Sequence, residues 1–290
     1  WLDFMEQRQK YLEQAWNATR WATDSVHPQF ATINQVSSSY APGDTTDGVD
    51  VRQDRPYDVL SGHGGYSDAG YGTMFPVRSA EAFAGFGQGK PHYYLPTWGT
   101  MTWAQARNGV WMSWITKLEG MEYPPGEDYS LAGADGGYDG TNTVFEIAEI
   151  NRRLALVGDV MRQIPKTLSP VAVLHSTRQD AWDIATLNSP KIHTPGSPEY
   201  AGVHRAAVDS CFFRVMEQGM VPNWIDEVEA TEKGADFLKQ WKVILCPRLT
   251  TATPAFQKAL EGYVAVGGKL IQFKGDGLLI KGSVVADHGF

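Results

Sequence analysis

Cysteine is nearly missing from these 290 residues: only Cys211 and Cys246 occur. Neither sits in a Cys-x-x-Cys or histidine-spaced pattern of the kind that holds zinc or a redox pair. Both fall in apolar segments, where a buried free thiol is the expected state. No run approaches the roughly 18 apolar residues of a membrane-spanning helix, so no membrane partner is expected. Positive charge is short as well, with 25 Lys and Arg against 33 Asp and Glu and a net charge of −8. Without a basic patch to neutralise phosphates, the chain is not expected to bind nucleic acid. It opens Trp1-Leu2-Asp3-Phe4, with no initiator Met, basic n-region or apolar h-region, so no signal peptide is visible and the compartment stays open between cytoplasm and secretion. That start and the end at His288-Gly289-Phe290 both read as cuts through a longer protein.

Aromatic residues, by contrast, are plentiful. Ten Trp, twelve Tyr and twelve Phe concentrate before residue 145. Sugar rings present apolar C–H faces that pack on aromatic faces, so such loops suit a saccharide site. A large aromatic core accounts for the same composition.

Helical spacing of Leu2, Met5, Tyr11, Leu12, Ala15 and Trp16 predicts a helix over residues 1 to 27, stopped by His27-Pro28. Asn17-Ala18-Thr19 inside it matches a glycosylation acceptor but carries little weight on a helix. Four strand candidates follow: Phe30 to Asn34, Tyr57 to Ser61, Lys90 to Trp98 and Ile115 to Tyr123. A weak helical pattern at 76 to 87 and a helix at 103 to 114 separate the later ones. This repeat of strand, loop and helix predicts parallel α/β architecture. Polar and aromatic residues gather just after each strand, where (β/α)₈ barrels build their active sites. Four units make half a barrel.

A long amphipathic helix is predicted from about Thr143 to Ile164, and Pro165 and Pro170 then mark a boundary. Beyond it, Val171 to Ser176, Asn223 to Asp226, Lys242 to Pro247 and Lys269 to Phe273 read as strands of a doubly wound sheet. Helices over 200 to 218 and 254 to 265 lie among them, the latter closed by Gly267-Gly268. No GxGxxG follows the first of these strands, so the pattern is flavodoxin-like rather than dinucleotide-binding. The two expected domains are residues 1–165, half a barrel with its connecting helix, and 168–290, an incomplete doubly wound domain.

The runs Glu149-Ile150-Asn151 to Leu156-Val157-Gly158-Asp159, Pro170 to Ser176, Lys242 to Pro247 and Gly267-Gly268-Lys269-Leu270 carry a resemblance. The chain resembles β-galactosidase-type glycoside hydrolases of family 42, which join a (β/α)₈ TIM barrel to a class I glutamine amidotransferase-like trimerisation domain. The resemblance implies a C-terminal fragment of such an enzyme, a homotrimer, a β-linked glycoside or oligosaccharide substrate, and a retaining mechanism with two glutamates. The family's acid/base follows an Asn on strand four, which would lie before Trp1. Its nucleophile ends strand seven, which here would be His92 to Trp98 and holds no carboxylate. The nearest carboxylates, Glu119 and Glu122, alternate to opposite sides of the next strand, and Glu122 shares the side of Gly120 nearest the rim.

Glycoside cleavage needs one carboxylate to stabilise an oxocarbenium-like state and a second carboxylic acid to protonate the leaving oxygen. Glu122 is therefore the expected catalytic residue, with Glu119 behind it; a buried ion pair would explain Glu122 equally well. Asn34, Asp58, His63, Tyr66, His92, Tyr94 and Trp98 are the expected substrate-binding residues. His63 and His92 are read as ending strands at equivalent rim positions, where they would bond sugar hydroxyls. The same histidines with Asp58 or Asp68 make an alternative metal set, but neither a metal nor a cofactor is expected. Cys246, followed by Pro247-Arg248, lacks the strand-to-helix elbow of an amidotransferase nucleophile. The second class of function is a carbohydrate-binding or assembly scaffold that keeps the fold without the chemistry.

Overall fold

The computed structural model describes residues 2–36, 55–64, 77–78, 81–82, 85, 90–96, 111, 120–121, 140–165, 168–187 and 203–287. The first helix, α1 (Leu2–Val26), leads into four strands: β1 (Ile33–Val36), β2 (Val59–Gly64), β3 (His92–Pro96) and β4 (Gly120–Met121). They form one sheet in the order β1-β2-β3-β4, every pair parallel. Parallel neighbours in chain order require crossovers that return each strand in the same direction, which is the arrangement of barrel staves. The amino end of this sheet is clamped to α1. Arg20 pairs with Asp58 and donates from Nη1 to Thr32 Oγ1 at 2.7 Å, while Thr32 N donates to Asp58 Oδ2 at 2.9 Å.

Helix α2 (Gly140–Gln163) connects to a second sheet. Its elements are β5 (Val171–His175), α3 (Thr177–Leu187), α4 (His204–Glu217), β6 (Asn223–Asp226), α5 (Glu227–Leu238), β7 (Val243–Leu245), α6 (Pro254–Ala265), β8 (Lys269–Phe273) and β9 (Val284–Ala286). The sheet order is β6-β5-β7-β8-β9, all parallel. Numbered within this sheet, that is the 2-1-3-4-5 order of doubly wound flavodoxin-like folds.

Alternation along these strands supplies two apolar faces. Val173, Trp224, Leu245 and Phe273 pack with Val208, Cys211 and Phe212 of α4 on one side. Ala172, Leu174, Ile225, Ile244 and Leu270 meet Leu238, Phe256, Leu260 and Tyr263 on the other. Fully burying each large side chain contributes about 1.5–3 kcal/mol, so these two layers dominate the stability of this half. Both cysteines are buried free thiols within them, as the apolar surroundings predicted.

Three helices of this half are capped by the side chain just before them. Ser176 Oγ accepts from Gln179 N at 2.9 Å, Asp226 Oδ1 from Val228 N at 2.8 Å, and Thr253 Oγ1 from Phe256 N at 3.2 Å with Pro254 following. These oxygens satisfy amide donors that the first helical turn cannot bond internally. At the far end of α6, Gly268 leaves no room for a side chain: a Cβ there would lie 2.2 Å from the Tyr263 ring. The described helices include none long and apolar enough to cross a membrane.

Candidate functional site

Register settles which expected rim positions share a level of the first sheet. Asn34, Leu60 and His92 are partners, as are Gln35, Ser61, Tyr93 and Gly120; Val36, Gly62, Tyr94 and Met121 come next, then His63 beside Leu95. His92 therefore opens β3 at the amino end, three register steps before the level of His63, and the two histidines do not occupy equivalent rim positions. The misreading came from treating Lys90 to Trp98 as one strand with polar residues at its close, when the polar His stands at its opening. Asn34 shares that early level instead of ending its strand. Asp58 lies just before β2, and its carboxylate is engaged by Arg20 and Thr32.

Parity adds a second division. Val59 and Tyr93, which alternate in step with His63, are half-exposed, while Leu60, in step with His92 and Tyr94, is 4% exposed. Tyr93 is thus partly exposed, and Gly120 is its register partner on β4. Glu119, Glu122, Tyr66, Trp98 and Asp68 lie outside the described residues.

A denser polar cluster sits where nothing was expected, at the carboxyl ends of β5, β6 and β7. His175 ends β5, and its Nε2 lies 2.6 Å from Asp180 Oδ2 of α3, while its Nδ1 faces Asp226 Oδ2 at 3.6 Å. Arg205 Nη2 reaches Asp180 at 3.3 Å. Ser176 donates its hydroxyl to Glu227, and Ser176 N donates to His204 Nε2 at 2.9 Å. His204 in turn donates from Nδ1 to the Pro247 carbonyl at 2.8 Å and from its backbone N to Asp183 at 2.6 Å. Gln179 ties the cluster to the loop after β7 through Thr250 and Thr251. All these charged groups are buried.

Burial decides the protonation states. It pushes Glu227 up to about 7 and Asp183 up to about 6, and it drives His204 down to about 3, favouring the neutral imidazole. Burial also works to raise Asp180, but the charges of His175 and Arg205 win and hold it below the usual carboxylate range.

His175, Asp180 and His204 bring ligand atoms within 4.8 Å of one another, the spacing of a metal site. The donor set does not fit one. Both nitrogens of His204 are committed, one accepting from Ser176 N and the other donating to Pro247, and the Arg205 guanidinium already supplies Asp180 with a cation. Nor does the cluster resemble a nucleophile elbow, since the Ser176 hydroxyl is buried, caps α3 and faces Glu227 rather than an imidazole. Burial also pushes the Cys246 thiol far up, which opposes thiolate chemistry there. Beside the cluster a cavity of about 190 Å³ lies among Met5, Glu6, Gln9, Thr177, Arg178 and Glu227, roofed by α1. Sequence reading missed the cluster because its members are scattered over more than fifty positions and no spacing announces them.

No family model matches the chain, and no curated protein does. Solved structures share its fold. A β-galactosidase from Bacillus circulans sp. alkalophilus superposes with a TM-score of 0.68 at 17% identity, over 94% of this chain and 40% of that one. An exo-carrageenase of GH42 from Bacteroides ovatus gives a TM-score of 0.72 at 13% identity, over 99% and 42%. A GH42 β-galactosidase from G. stearothermophilus gives 0.69 at 13% identity, over 96% and 42%. The chain thus has the α/β fold found in these enzymes and spans about two-fifths of their length. Identities this low speak for fold alone.

Proposed function

We propose that this chain is the C-terminal half of a glycosidase (β/α)₈ barrel, residues 1–165, followed by an amidotransferase-like assembly domain over residues 168–290. The protein it belongs to would hydrolyse a β-linked saccharide as a homotrimer. One observation carries the reading: four parallel strands in chain order, β1 to β4, within a chain whose whole length follows the fold of GH42 enzymes. That order is what neighbouring barrel staves require, and it directs their carboxyl ends to one rim.

Glu122 is the proposed catalytic carboxylate of this segment, with Glu119 as the alternative. Strand alternation read from the sequence would give Glu122 the side of Gly120, two positions before it. There it would stabilise the oxocarbenium-like state, while an acid supplied from outside this chain protonates the leaving oxygen. His63, Tyr66 and Trp98 remain the proposed sugar contacts of the rim.

The test uses the full-length protein and aryl β-glycosides. Glu122→Gln should lower kcat by about 10⁴-fold, the scale seen when one member of a catalytic set is removed. Undiminished hydrolysis would remove Glu122 from the mechanism. A second reading, a carbohydrate-binding or assembly scaffold without catalysis, draws on the sequence of β3, His-Tyr-Tyr-Leu-Pro, which holds no carboxylate. It predicts no hydrolysis by the parent protein at all, with saccharide binding retained.

A further inference from the structure

Residues 77, 78, 81, 82 and 85 are helical and follow the 3.6-residue repeat, so they form one stripe of a helix. Val77, Arg78, Glu81 and Ala82 on that stripe are buried. By chain order the stripe belongs to the crossover between β2 and β3 of the first sheet, yet its contacts belong to the second. Ala82 joins the core formed by Val173, Phe212 and Trp224. Arg78 Nε donates to Asp209 Oδ1 of α4 at 2.6 Å, with neither side chain more than 2% exposed. The guanidinium also lies 4.6 Å from the centre of the Trp224 ring. Asn223 Nδ2 donates to Glu81 Oε2 at 3.2 Å. Gly85 runs so close to β6 that a Cβ would come 2.5 Å from the Trp224 carbonyl oxygen.

We propose that Asp209, Asn223 and Trp224 are positioning residues for the first sheet: by gripping the β2–β3 crossover they set the height and rotation of the strands that carry His63 and Tyr93. A deeply buried ion pair stabilises little more than apolar packing of the same volume. What it supplies is direction. Asp209 fixes the guanidinium edge, the indole fixes its plane, and Asn223 fixes the helix one turn further on, so a single placement satisfies all three. The inference stands apart from glycoside chemistry and survives if that reading fails.

Hydrogen exchange on the full-length protein tests it through the double variant Arg78→Met/Asp209→Leu, which removes both charges and keeps an apolar filling. Amides at residues 57–64 and 90–96 should exchange at least about tenfold faster, with residues 171–175 and 243–246 within about twofold of the parent. Unchanged exchange in the first sheet would overturn the proposal, because apolar packing alone would then position the crossover. Equal acceleration in both sheets would overturn it as well, by showing a general loss of stability. Glu81→Leu, which removes the acceptor of Asn223 Nδ2 and keeps an apolar filling, supplies the same test if the double variant does not fold; it should show the same selectivity at about threefold.

Discussion

Along β5 and β6 eight of nine side chains are buried, whereas Ile33 at the start of β1 is 53% exposed and α1 buries only Met5 and Gln9 among its described side chains. The second sheet is clothed on both faces by helices that follow its own strands. The first sheet is clamped at its amino end by Arg20 and Asp58, and large apolar groups around it, among them Phe4, Tyr11, Leu156 and Val160, meet water. Their carboxyl edges differ in kind too. In the second sheet His175, Asp180, Asp183, His204 and Glu227 at that edge each bond a neighbour from the same half, while Asp226 Oδ2 makes no hydrogen bond and meets His175 Nδ1 only at 3.6 Å. The lesson is that titratable residues at strand ends indicate chemistry only where their hydrogen bonds are left for a ligand to complete.

The widest gap between the halves should appear on equal truncations. Leu174→Ala empties a site 1% exposed between two helices and should cost about 2–5 kcal/mol by urea denaturation. A loss under about 1 kcal/mol would mean that the second sheet collapses around the hole and is less rigid than its packing implies. An intermediate effect belongs to Glu227. Its folded value near 7 exceeds the unfolded carboxylate value near 4.3, so the native state binds the extra proton between them and stability contributed by this group falls as pH rises through that window. Glu227→Gln should therefore gain on the parent from about pH 4.5 to 7 and hold a constant advantage above. Parallel stability curves of the two proteins across that range would show that Glu227 stays ionised in the fold. His204, held down near 3, works in the opposite direction below pH 6.5, so the comparison must be made against the parent at each pH. Smallest of all, Ile33→Ala should change stability by no more than about 0.5 kcal/mol; a larger loss would show that β1 is covered in solution.

Legibility in the sequence followed the same division. The apolar runs at Val171, Lys242 and Lys269 were readable as strands because burial on both faces leaves almost no polar residue in them, and α6 was readable from Pro254 to Gly267 by its cap and its exit. Helix α5 was missed: Gly234, at a φ of 67°, interrupts it, and its first turn is acidic and blends into the preceding strand. Helix α3 was missed because its buried face is polar, with Gln179, Asp180 and Asp183 inward, and β9, only three residues long and mostly exposed, resembles a turn. At the candidate rim the strands were legible and their register was not. Whether His92 opens β3 or closes it depends on which residue it pairs with, and Leu60 lies far upstream. The Arg78–Asp209 pair, 131 positions apart, is invisible for the same reason.

The shared helical stripe also bears on how this fold tolerates recombination. A chimaera that transplants residues from 168 onward to a foreign barrel would carry a notch beside Trp224 with a buried aspartate facing it. Grafts should succeed only with recipients that bring an arginine and, about two turns later, a position small enough to sit against a backbone carbonyl, so the seam between the halves is keyed rather than interchangeable.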